Sequence, residues 1–311
     1  MKAYSNPAVE SHPGDHPKNP LDRNTLFDYL NVGILVVLAV VCVYPCYLVL
    51  VLSLNDPVDA LRGGLFFYPR EVTVDNFLFF FRDPSLFRAF SVSVARTVIG
   101  SLTSVFFTAC FAYGASKRYL IGRRTILTYM IITMYINGGL IPFFLLIKSI
   151  GLYRNFLVYI IPLLFNAFNA IVMMTFFKGL STEIEESAKI DGANDLRIFF
   201  VIVLPVSKAV IAAIILFNAV FQWNSWFDSM IFGGSELVTL QFKLVQIIRD
   251  VDAAKEFALQ NPAFGNIMGY KPTLESVKAT SMAVTIIPII MVYPFLQRYF
   301  VKGIMIGSVK G

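Results

Sequence analysis

Thr182-Glu183-Ile184-Glu185-Glu186-Ser187-Ala188-Lys189-Ile190-Asp191-Gly192-Ala193-Asn194-Asp195, running on to Leu204-Pro205, is a charged island in a chain that is otherwise mostly apolar. Thr182-x-x-Glu185 has the spacing of a capping box and predicts the start of a short helix. Glu183, Glu185 and Glu186 fall in its first turns, where negative charge suits the helix dipole. Gly192 is the predicted stop, and Asn194 or Asp195 is placed to cap a second helix from Leu196 through Phe200 towards Pro205. Ile184 and Ala188 share one face, with Ser187 and Asp191 on the neighbouring stripe. A short helix with a small apolar face and acidic flanks fits a groove on another protein. Resting on lipid is the alternative, but anionic headgroups would repel the acidic first turn.

The surroundings of the island set the fold class. The chain has 311 residues, 57% hydrophobic and 15% charged, against roughly 45–50% and 25% in a soluble domain. The excess lies in long blocks, so the class is an all-α integral membrane protein. Net charge is +6. The basic residues cluster beside apolar blocks, which the positive-inside bias explains without nucleic acid. Cys42, Cys46 and Cys110 sit inside apolar blocks with no disulfide framework or metal spacing. His12 and His16 belong to a polar tail, residues 1–25, expected to be flexible and cytoplasmic. It lacks the apolar core of a signal peptide, so the first block is expected to stay as an anchor.

Six blocks reach the roughly 20 residues that a spanning helix requires: about 30–52, 90–113, 126–147, 156–177, 206–226 and 277–300. The second is rich in small residues that let helices approach closely. Its Arg96 is expected to snorkel or pair, as an interfacial anchor more than a gating charge. Lys117, Arg118, Arg123 and Arg124 crowd one short loop without an acid, which places that loop in the cytoplasm. Counting from it puts both termini and the 178–205 island inside. Segments 54–88 and 228–274 fall outside, and residues 26–311 form one permease domain.

Glu186-Ser187-Ala188, three residues, Gly192, nine residues, Ile202-x-Leu204-Pro205 resembles the coupling (EAA) loop of ABC importer permeases, with Ser187 for the usual alanine. Tyr135-Ile136-Asn137-Gly138-Gly139-Leu140-Ile141-Pro142, Gln222-Trp223-Asn224 and Lys271-Pro272-Thr273-Leu274-Glu275-Ser276 narrow the likeness to the MalG-like carbohydrate permeases of LplC/YtcP type. The resemblance implies a type I importer (MetI-like) fold in the bacterial plasma membrane. It implies a second homologous permease, two copies of a cytoplasmic ABC ATPase and an external sugar-binding lipoprotein as partners. ATP and magnesium would sit on the ATPase, and this chain would bind no cofactor. Glu185, Glu186, Ser187, Ala188, Asp191, Gly192, Leu204 and Pro205 would form the ATPase-docking element. Gly307, Ser308 and Lys310 would reach towards the same partner, and 228–274 would meet the binding protein.

The chain carries no Walker-type Gly-x-x-x-x-Gly-Lys-Ser/Thr run, no paired carboxylates and no metal cluster by spacing, so it is expected to be a transport subunit and not an enzyme. Sugars are met by aromatic faces and amide groups. Inside a membrane Asn137, Asn169, Asn218, Gln222, Trp223 and Asn224 are the candidates for the substrate path, with Asn166 and Trp226 beside them. Interhelical hydrogen bonds and an interfacial aromatic belt are the competing explanations. The expected cargo is an oligosaccharide. Another solute, such as an amino acid or osmolyte, or a self-contained secondary transporter, are the alternatives, and the island argues against the last.

Overall fold

The computed structural model describes residues 26–260 and 273–308. The chain divides into two compact units, Met1–Tyr47 and Leu48–Gly311. The described part of the first is most of helix α1 (Leu26–Ser53), whose side chains are exposed from Phe27 through Val43. Pro45 lies inside α1 without ending it.

The second unit begins with the last turns of α1. Short helices α2 (Pro57–Ala60) and α3 (Asp75–Arg82) follow. They are tied by one isolated antiparallel bridge between Asn55 and Val72, the sole extended pairing among the described residues. Helix α4 (Pro84–Ser116) comes next. Asp83 starts it, its Oδ1 accepting from the amides of Ser85 (2.8 Å) and Leu86 (3.2 Å), and Pro84 occupies the first turn, where no N–H is needed.

Lipid tails offer no hydrophobic drive between helices, so helices in a bilayer must gain contact by close approach. Many of the buried residues of α4 are accordingly small, among them Ala89, Ser93, Gly100, Ser101, Ser104, Ala109 and Ala112, beside the larger Leu86, Arg96 and Tyr113. Helix α4 packs on α7 (Ala167–Lys178) and α11 (Lys208–Asn224), and Ser93 Oγ accepts from the amide of Leu240, the first residue of α13 (Leu240–Gln260), at 2.8 Å.

Helices α5 (Arg123–Tyr135) and α6 (Leu140–Ser149) meet at 116°. The break is at Asn137-Gly138-Gly139. Asn137 Oδ1 accepts from the Gly139 amide at 2.8 Å, satisfying a donor the interrupted helix frees. Two 3₁₀ turns, Phe156–Tyr159 and Ile161–Leu163, lead into α7 at 49°. Asn166 caps α7 through the Asn169 amide at 3.0 Å. Helices α8 (Thr182–Ile190) and α9 (Asp195–Ile198) form the 178–205 loop. A π-helical turn, Phe199–Val203, and α10 (Leu204–Val206) run on to Ser207. There the chain turns 81° into α11. After α11 come α12 (Phe227–Phe232), α13 (Leu240–Gln260) and α14 (Leu274–Ser308).

Three helices, α1, α4 and α14, are long and apolar enough to cross a membrane, and the three bent pairs raise the number to as many as six. Three of the expected apolar blocks are therefore bent helix pairs and not single helices. Neither α5 nor α6 is long enough to cross alone: at 13 and 10 residues they rise roughly 20 and 15 Å, against about 30 Å of hydrocarbon.

The main core sits where α4, α7, α9 and α11 converge. Tyr113, Met173, Phe177, Ile198, Phe199 and Ile214 are buried there, and Ala188 and Ala193 pack on its edge. The Tyr113 and Phe199 rings lie 5.0 Å apart.

Candidate functional site

Helix α8 starts one residue earlier than its capping-box pattern suggests. Ser181 is the cap, its Oγ accepting from the Glu183 amide at 3.3 Å. With Ser181 as the cap, the third helical residue is Ile184 and the box does not form; the Glu185 carboxylate instead pairs with Lys117 at the end of α4. The end is as expected: Gly192 adopts φ +80°, which a side chain would strain. The Ala193 amide bonds Ala188 O at 2.9 Å and the Gly192 amide bonds Lys189 O at 3.0 Å, closing the last turn. Asn194 caps α9 through the Arg197 amide at 2.8 Å.

This geometry divides the candidate docking residues. Glu186, Ser187, Asp191, Gly192 and Pro205 are exposed. Glu185, Ala188 and Leu204 are half-buried and face their own chain, Ala188 and Leu204 against the main core. Ala188 therefore does not share the exposed face assigned to it with Ile184. What the sequence reading missed is apolar and exposed: Ile190 is 87% exposed and Leu196 69%, on either side of the Gly192 turn, while Ile184, expected on the docking face, is 49% exposed. Their signal was available as apolar side chains flanking a glycine stop.

The near side of α8 is held by charge. Lys117 pairs with Glu185, and its Nζ stands 4.0 Å from the centre of the Tyr113 ring. Lys189 Nζ pairs with Asp195 at 3.1 Å and lies 5.0 Å from the Tyr119 ring centre. Tyr119 donates to Asp195 at 3.1 Å. The hydrogen bond to Asp195 raises the Lys189 ammonium above its ordinary value. Burial, then the Asp195 carboxylate, raises the Tyr119 phenol.

At the other end of α11 lies a cavity of about 850 Å³, lined among others by Phe217, Phe221, Asn224, Trp226 and Ile289. Its walls are aromatic and aliphatic with a few polar groups, and among the described residues no charged side chain lines it. Of the six substrate-path candidates, Trp223 and Asn224 line this cavity. Asn224 is exposed, with Nδ2 donating to Val220 O at 2.9 Å. Trp223 is buried, and its indole N–H donates to Thr285 O at 3.0 Å. Gln222 is buried as well, accepting from Arg96 and donating to Tyr159 O at 3.0 Å. Asn218 bonds Ile214 O of its own helix, Asn169 is buried in α7, and Asn137 sits at the α5–α6 break.

Of the two fates expected for Arg96, it pairs and does not snorkel, so it is not an interfacial anchor. It is fully buried, and Asp228 faces it at 2.6 Å. The cause is that α4 and α11 pack side by side and bring the α11–α12 turn over the guanidinium. Gly307 and Ser308 end α14, while Lys310, the tail 1–25 and Lys271-Pro272 lie outside the described residues.

Residues 105–306 match the family model described as the binding-protein-dependent transport system inner membrane component. The polygalacturonan/rhamnogalacturonan transport system permease protein YtcP of Bacillus subtilis is 37% identical over 290 residues, 93% of this chain and 100% of that protein. Protein LplC of the same organism is 34% identical over 299 residues, covering 95% and 99%. Among solved structures, a chain of a bacterial ABC transporter involved in the import of the acidic polysaccharide alginate superposes with a TM-score of 0.79. It is 32% identical, with 88% of this chain and 96% of that one covered.

Proposed function

Because the chain belongs to the binding-protein-dependent transport system inner membrane components, multi-pass permeases of ABC importers in the bacterial plasma membrane, we propose that α8 and the Gly192 turn take up the stroke of a separate ATPase while the membrane body passes an oligosaccharide inward. The chain crosses six times in this reading, with both termini and the 178–205 loop in the cytoplasm and 54–88 and 228–274 outside. A second homologous permease completes the pore, two ATPase copies carry the ATP and magnesium, and a sugar-binding lipoprotein delivers the cargo. This chain hydrolyses nothing itself. Gly307, Ser308 and Lys310 extend the ATPase contact.

One observation carries the reading: the exposed face of α8 offers Glu186 between Ile184 and Ile190, with Leu196 beyond the turn, on a polar loop whose other face is already held by its own chain. Apolar side chains presented to water flanking a carboxylate are what a grooved protein partner recognises. Asn224, Trp226, Phe217 and Phe221 suit the faces and hydroxyls of sugar rings. The relatives' names point to acidic glycans. With no charge among the described residues lining the cavity, ring faces are met here and carboxylates elsewhere in the assembly.

Purification of the assembled transporter tests this. The wild-type chain should bring down an ATPase and a second permease, and Glu186→Lys should lose the ATPase and at least tenfold of uptake while the external protein still binds its glycan. Wild-type uptake by Glu186→Lys would remove α8 from the docking role.

A further inference from the structure

The 117–122 turn between α4 and α5 is short and basic, and nothing in the proposed transport function requires it to touch α8. It does so through two unequal sets of contacts. The inner set is Lys117 with Glu185, both mostly buried, at 11% and 20% side-chain exposure, with the ammonium also over the Tyr113 ring. The outer set is Lys189, Asp195 and Tyr119, where the charged pair is 42% and 50% exposed. Arg123 adds a hydrogen bond from Nε to Ala115 O at 2.9 Å, which fastens the turn to the end of α4.

Exposed pairs contribute little and re-form easily, whereas separating a shielded pair leaves two charges uncompensated. Tyr113, under the ammonium, is itself part of the main core against Phe177 and Phe199. We propose that Lys117 is a positioning residue that welds α8 to the inner end of α4. A displacement of α8 then enters the body through α4 as well as through Leu204-Pro205 into α11. Lys117 touches neither the ATPase nor the cargo. The inference rests on the docking role of α8 given above. The α4 route leads directly to the cavity end, because Thr97 of α4 lines the cavity and Arg96 bonds Gln222 and Asp228 there.

The test uses the complete transporter with its ATPase and partner permease in lipid nanodiscs. Cys42, Cys46 and Cys110 are replaced by serine, and Asn224→Cys reports the cavity by its rate of reaction with a water-soluble maleimide. MgATP is the only ligand added. In the parent, MgATP is expected to change that rate at least fivefold. With Lys117→Gln the change should fall below twofold, while the ATPase remains bound and its KM for ATP is unaltered. Lys117→Arg, and the reversed pair Lys117→Glu with Glu185→Lys, should restore most of it. A separate complex carrying Lys117→Cys and Glu185→Cys, joined by a short bismaleimide, should still hydrolyse MgATP at no less than half the unjoined rate, because the two elements move as one. A full MgATP response in Lys117→Gln, or arrest of hydrolysis by the cross-link, overturns the weld. A parent complex whose Asn224→Cys ignores MgATP overturns the docking role itself.

Discussion

At the residue scale, Arg96 commits its whole guanidinium to partners within the chain. A guanidinium has five N–H donors. Nε and Nη2 donate to Gln222 Oε1 at 3.0 and 2.8 Å, Nη1 to Ser225 O at 3.3 Å and Asp228 Oδ1 at 3.1 Å, and Nη2 also to Asp228 Oδ2 at 2.6 Å. The Tyr159 ring closes one face, its centre 4.4 Å from the guanidinium carbon. The planar fork is what this site uses, so Arg96→Lys, a point charge with three donors, is expected to fail as a substitute. Arg96→Met leaves a shielded carboxylate without its partner and should lower stability by about 3 kcal/mol. The melting temperature of the purified protein in detergent measures it. Arg96→Met with Asp228→Leu should recover most of the loss, because removing both charges removes the debt of desolvation; no recovery would mean the pair is not the source. A charge at position 96 of an apolar block was legible as an anomaly. Its partner was not, because Asp228 is separated by 132 positions and only the packing of α4 on α11 joins them.

At the scale of elements, local chemistry was readable where the partner was the chain's own neighbour. Gly192 and Asn194 ended one helix and started another as their residue types require. The run Asn137-Gly138-Gly139 marked a place where a helix can break, while the size of the turn there, 116°, was not legible in it. The capping box did not form because Ser181 caps the helix one residue earlier, which leaves Glu185 free of the backbone and paired with Lys117, a contact between distant positions. Segment 54–83 is a second example of long-range wiring. Asn55 Nδ2 and Arg70 Nε both donate to Asp59 Oδ2 at 2.9 Å, and Asn76 Nδ2 donates to the carbonyls of Ser53 (3.0 Å) and Asn55 (2.9 Å). The hydrogen bond from Asn55, followed by Arg70, holds the Asp59 carboxyl below its ordinary value. A lowered carboxyl stabilises the fold fully above its unfolded value of about 3.9. That contribution disappears only as pH falls through the lower folded value. Amide protection factors across 55–76 should therefore be level from pH 7 to 5. Asp59→Ala should reduce them at both pH values by the same factor, at least fivefold, and a loss appearing between pH 7 and 5 in the wild type would contradict this wiring.

For the whole molecule, the class was legible because a bilayer admits few designs: apolar blocks, a basic loop and one charged island leave a multi-pass helical permease. Which face of the island meets a partner was not legible, since Ala188 and Ile190 differ by two positions and by everything in exposure. The orientation can be measured directly. In a chain without its native cysteines, Tyr68→Cys, at a residue 72% exposed, should react with an impermeant maleimide on intact spheroplasts. Ile190→Cys should react only after permeabilisation, and the reverse pattern would invert the topology. The contrast between the unbroken α1 and the interrupted α5–α6 pair also bears on biogenesis. A continuous apolar helix of 28 residues exceeds the roughly 20 needed and can leave the translocon for lipid as soon as it is synthesised. The segment from Arg123 to Ser149 cannot, because a bend of 116° exposes backbone polar groups that hydrocarbon does not tolerate. Residues 135–141 at this bend are exposed along the chain's own surface, so its cover is expected from a neighbour in the assembly, and the pair is expected to settle in lipid later than α1.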